Sequence, residues 1–82
     1  MEILSICVLQ RGYVYVGYRS VTGAGMVTLR DARDILYWGT SRHLGQLKTG
    51  PTPQTRLGDA ATISFHPLTE VLSMPVTGDW GI

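Results

Sequence analysis

Trp38, Thr40, Ser41, Arg42 and His43 are the residues with the most chemistry to offer, and they stand within one short stretch. Thr40 or Ser41 reads as the N-cap of a helix, with Arg42 and His43 in its first turn. A helix start carries partial positive charge, so a cation there costs roughly a few tenths of a kcal/mol, and a carboxylate is the ordinary choice. Cations beside two hydroxyls and free backbone N–H groups suit an anionic ligand. Arg42 adds a planar fork for phosphate or carboxylate, and Trp38 a ring that stacks on a base. The competing reading has the hydroxyl only capping the helix, Arg42 paired with Asp31, Asp34 or a partner's acid, and Trp38 in the core.

A second row, Tyr13, Tyr15 and Arg19, lies on one face of an expected strand. It reads either as a stacking surface for a base or partner, or as cross-strand packing beside a solvated arginine. Catalysis has little to stand on. The two histidines, His43 and His66, are far apart in the chain, and the one cysteine, Cys7, lies in an apolar run. No serine sits in a nucleophile elbow, and no His, Cys and acid spacing matches a metal site. Asp31 and Asp34 converge only on a helix, and Arg30 and Arg33 beside them read as ion-pair partners. Gly23-Ala24-Gly25 lacks the strand-to-helix context of a phosphate loop. The expectation is a protein that is not an enzyme, with no cofactor and no metal.

The elements that must position these residues follow from pattern. Ile3 to Leu9 is apolar on both alternating faces, so it reads as a strand covered twice, the second cover being a neighbouring subunit. Gln10-Arg11-Gly12 is a turn. Tyr13 to Ser20 is a second strand, Val21 to Gly25 a hairpin loop and Met26 to Leu29 a third strand. Arg30 to Asp34 interrupts it as a bulge or one helical turn, and Ile35 to Trp38 resumes it. The helix then runs over residues 41–49, stopped by Gly50 and Pro51, with Leu44 and Leu47 as its apolar edge. Gly45 makes so short a helix dependent on packing. After a loop from Pro51 to Gly58 come a strand from Ala61 to His66, a turn at Pro67, and a last strand from Glu70 to Val76. Pro75 suits an edge. Trp80, in the tail, is expected to dock on this subunit or the next. The fold class is mainly β: a small five-stranded SH3-like or Sm-like barrel, or a curled antiparallel sheet, with one short helix.

At 82 residues the chain is one domain and buries only roughly 60–65% of its unfolded surface. A single cysteine forms no intrachain bridge and fits a reducing, cytoplasmic compartment. Seven basic against six acidic residues leave a charge of +1, which is no footprint for duplex nucleic acid. With 16% charged and 44% apolar residues the polar coat is thin, which favours a homo-oligomer. Glu2 and the breaks at Ser5 and Gln10 argue against a signal peptide, and no apolar run is long enough to span a membrane.

Trp38-Gly39-Thr40-Ser41, followed by Leu44, Leu47, Gly50-Pro51-Thr52 and Thr55-x-Leu57, resembles a family of short phage and prophage proteins with no established activity. The resemblance implies a phage-encoded setting in the host cytosol. His43 departs from the small residue or glycine of that pattern. Two functions of different class follow as expectations. One is sequestration of a small anionic ligand, such as a host signalling nucleotide, as an anti-defence device. The other is a protein-interaction or assembly module, or an inhibitor of a host complex.

Overall fold

The computed structural model describes residues 2–39 and 44–82. Its strands are β1 (Ile3–Leu9), β2 (Val14–Val21), β3 (Val27–Tyr37), β4 (Arg56–Phe65) and β5 (Glu70–Pro75). Three 3₁₀ segments join them: η1 (Gln10–Gly12), η2 (Leu44–Thr49) and η3 (Pro67–Thr69). The strands form one antiparallel sheet in the order β4-β3-β2-β1-β5. Among the described residues β4 and β5 each pair with one strand only, so the sheet is open rather than a closed barrel.

β1 is an interior strand, between β2 and β5, and is buried on both faces, as its unbroken apolar run demands: neighbouring Ile6 and Cys7 are both fully buried. The cover expected from a second subunit comes from the chain itself. On one face Ile6, Val14, Val16 and Ile35 pack beneath Leu47, Val76 and Trp80, with Leu44, Leu57 and Ile82 at the margin. On the other, Cys7, Leu29 and Ala32 pack with Tyr15, Ile63 and Phe65, all from strands. Among the described residues no helix packs on this second group, so strands alone enclose it and the sheet curls over it.

Residues 30–34 do not break β3; they bulge it. Leu29 pairs with Ile63 but Ala32 with Ala61, and Tyr18 pairs with Arg30 but Val16 with Arg33, which leaves one extra residue on β3 against both neighbours. Asp31 absorbs it with φ +54°, a conformation that aspartate tolerates better than most residues. The extra residue changes the phase of the apolar pattern. Leu29 and Ala32 therefore share a face, and Ile35 turns to the other. Gly17 sits against this bulge, where a Cβ would lie 3.0 Å from the Ala32 Cα and 3.2 Å from the Arg30 carbonyl oxygen.

The helix expected over residues 41–49 is a 3₁₀ segment, Leu44–Thr49; positions 41–43 lie outside the described residues. With about three residues per turn, Leu44 and Leu47 fall on one side, where an α-helix would skew them. Gly45 and the stop at Gly50-Pro51 leave no length for an α-helix to gain on it. The Gly50 N–H donates to the Leu47 carbonyl at 3.1 Å. The tail closes over this segment. The Thr77 N–H donates to the Lys48 carbonyl at 2.8 Å, and the Trp80 indole N–H to the Thr77 carbonyl at 3.0 Å. Gly78, at φ +94°, passes so close to η2 that a Cβ there would meet the Thr49 carbonyl oxygen. Trp80 thus docks in cis and is 4% exposed. Two further boundaries differ from the sequence pattern. β4 begins at Arg56, inside the expected loop, and β5 ends at Pro75 on an edge, where proline's missing N–H leaves no inner ladder position unfilled.

Candidate functional site

Of the leading site residues, Trp38 is described; Thr40, Ser41, Arg42 and His43 lie outside the described residues. Trp38 is not in the core. It is 40% exposed and ends an exposed apolar run, Leu36-Tyr37-Trp38, at the rim of the sheet. Its backbone is held firmly. The Thr55 hydroxyl donates to the Trp38 carbonyl at 2.7 Å, and the Thr52 hydroxyl to the Gly39 carbonyl at 2.8 Å. Thr52 and Thr55 are held in turn: the Thr52 N–H donates to the Thr55 hydroxyl at 2.9 Å, and the Thr55 N–H to the Thr52 carbonyl at 3.1 Å. Gly39 has φ +69°, and a Cβ there would lie 2.6 Å from the Gln54 carbonyl carbon and the Thr55 nitrogen. Trp38-Gly39 and Thr52-x-x-Thr55 are therefore two halves of one clasp, which accounts physically for their joint presence in the sequence.

The second row is divided, since β2 starts at Val14 and Tyr13 lies just before it. Tyr13 is exposed, whereas Tyr15 is half-buried against the Cys7 group, opposite Asp34. Burial, and then the Asp34 charge, raise the Tyr15 phenol above its usual range. Arg19 is not a free cation but is part-exposed and ion-paired. Its Nε and Nη2 donate to the two carboxylate oxygens of Glu70 at 3.0 and 2.7 Å, with the Glu70 side chain almost buried. That side-on pairing holds the Glu70 carboxyl below its usual range and overcomes the opposing effect of burial. Cys7 lies beside the pair. Burial first, and the neighbouring carboxylate second, push its thiol up to about 12, so it stays neutral and inert as a nucleophile. Pattern reading missed Glu70 because nothing local marks a partner so distant in sequence.

The other candidates have structural explanations. Asp31 pairs with Arg30 at 2.7 Å; Arg30 also binds Glu2 at 3.0 Å and lies 4.6 Å over the Tyr18 ring. The Arg33 Nε donates to the Gly58 carbonyl at 2.7 Å. The His66 Nδ1 accepts the Leu68 N–H at 3.1 Å and so caps η3. Gly25 closes the β2–β3 hairpin on the Thr22 carbonyl at 2.9 Å. Among the described residues no three His, Cys, Asp or Glu side chains are grouped to hold a metal ion. No described helix is long and apolar enough to cross a membrane. The chain matches no protein-family model, no curated protein and no solved structure.

Proposed function

We propose that this chain is a non-catalytic assembly module that self-associates through the rim carrying Leu36, Tyr37 and Trp38. One observation supports the reading most: these three consecutive side chains are 67%, 58% and 40% exposed on a backbone clasped by Thr52 and Thr55. Exposed aromatic residues on a rigid support are the usual energetic centres of protein interfaces, because little conformational freedom remains to be lost. Two open sheet edges, β4 and β5, offer further surface for a second copy. Sedimentation equilibrium is the test. The expected result is mass above the monomer that falls to the monomer in Trp38→Ala. A wild-type chain that stays monomeric at every concentration overturns the reading.

A second reading uses the same clasp. The exposed Trp38 ring leads directly into Thr40, Ser41, Arg42 and His43, whose types suit an anion, a nucleotide above all. In a phage or prophage protein of the host cytoplasm, as the resemblance implies, that would sequester a host signalling nucleotide. Calorimetry against cyclic and linear nucleotides tests it. Binding that Arg42→Ala weakens about tenfold supports it, since that is the scale of one lost charged hydrogen-bonding group. No heat across the panel rejects it. Trp38→Ala affects both readings and Arg42→Ala only this one.

A further inference from the structure

A groove of about 350 Å³ opens on the curled face where β1 starts and β2 and β5 end. Arg19, Ser5 and Ser73 give it a polar floor; Ile3, Val21 and Pro75 give it apolar walls. Arg19 meets Glu70 through one edge of its guanidinium, Nε with Nη2. The other edge, Nη1 with the second Nη2 proton, makes no hydrogen bond to an oxygen of the described residues, and the neutral Cys7 thiol is the neighbouring side chain. Glu70 thus fixes the plane of the fork while leaving half of its donors unused. Ser5 spends its proton on the Ile3 carbonyl at 2.9 Å, and the Ser73 hydroxyl has no partner among the described residues. The groove offers donors and asks for acceptors.

Charge narrows the ligand further. The carboxylate of Glu70 already balances Arg19 and would repel added negative charge, so a dianion is disfavoured and the ligand carries at most one negative charge. A planar carboxylate matches the free edge of the fork in two parallel hydrogen bonds, as the Glu70 carboxylate matches the other edge. The volume lies near the lower end for ligand sites, which limits the body to a few carbons against Ile3, Val21 and Pro75. We infer that the groove binds a small monocarboxylate with a short apolar body, held end-on by Arg19. The carboxylate comes from a free short-chain acid or from the C-terminus of a peptide. This site is separate from the Trp38 rim and independent of the assembly reading.

Titration of ¹⁵N-labelled chain tests it, with butyrate and with an acetylated Ala-Ala-Val peptide as the two probes. At least one should move the amide signals of Ser5, Arg19 and Ser73 to saturation, and the tighter probe identifies the source. Butyramide and the amidated peptide should bind about tenfold weaker or not at all. Arg19→Lys keeps the charge but loses the fork and should weaken binding by a similar factor. Because that change also disturbs Glu70, Ser73→Val in the groove floor provides the second variant; it narrows the groove, removes a hydroxyl and leaves the pair intact. Amides that bind as well as acids, shifts confined to other parts of the chain, or binding that survives both substitutions would overturn the inference.

Discussion

On one face of the sheet Ile6, Val16 and Ile35 lie under Leu47 and Trp80; on the other, Cys7 and Leu29 are enclosed by strands alone. The first face is sealed by segments with almost no structure of their own, a 3₁₀ segment and a tail. They are held by a few backbone hydrogen bonds and by the apolar area they cover. The second is sealed by curvature, and its mouth is lined by a charged pair, Arg19 and Glu70. A face closed by a separate cover depends on the side chains of that cover. A face closed by the sheet's own bend depends on the bulge that bends it and on the polar groups at its opening. The same chain thus contains an oily seam and a polar mouth, and they should fail under different stresses.

The largest expected effect is at the seam. Trp80→Ala should cost about 3–5 kcal/mol, the range for truncating a buried aromatic, read from urea midpoints. A cost below about 1 kcal/mol would mean that the tail is a passenger and that the two faces do not differ as described. At the mouth, Glu70→Gln should cost about 1–3 kcal/mol at pH 7, the scale of a charge-assisted hydrogen bond in a partly screened setting. Its pH dependence has a definite sign. Because the folded-state pKa of Glu70 is lowered, its contribution is present above the ordinary carboxylate range and is lost as pH falls through the folded value. Wild type and Glu70→Gln should therefore converge in stability as acidification passes through the lowered folded-state value of Glu70, whereas Trp80→Ala should keep its deficit there. The smallest effect is at the rim. Trp38→Ala should change stability by about 1 kcal/mol or less, since much of the ring is already in water. Two tryptophans with such different costs would isolate cover as the variable.

The strand content, the double burial of β1, the position of Pro75 and the docking of Trp80 were legible in the sequence, because alternation and composition are local signals. The source of the second cover was not. Leu47 and Trp80 meet Ile6 only through the tertiary fold, and no periodicity links them. For β3 the sequence left a bulge and a helical turn both open at residues 30–34, and the structure selects the bulge: the extra residue at Asp31 shifts the apolar phase, so one strand reads as two pieces. The helix was expected to be α because its caps look the same for either helix type; the deciding feature, the spacing of Leu44 and Leu47 over so short a length, favours the tighter winding. The clasp between Trp38-Gly39 and Thr52-x-x-Thr55 was visible as residue types but not as a contact. The Arg19–Glu70 pair was not visible at all, and it is what makes the curled face more than an apolar interior.

The pairing of β1 with β5 sets the order in which the molecule can be completed. Ser5 meets Pro75 and Ile6 meets Met74, while Cys7 meets Tyr15 on its other side. During synthesis the β1–β2 hairpin can zip early, yet one flank of β1 stays an open template until Glu70–Pro75 has left the ribosome. Closing so long a loop is entropically uphill, and a nascent strand this apolar is a ready partner for its neighbours on the same messenger. Fast release or dilution of newly made chains should therefore favour correct maturation, and crowded polysomes should favour clumping through that flank.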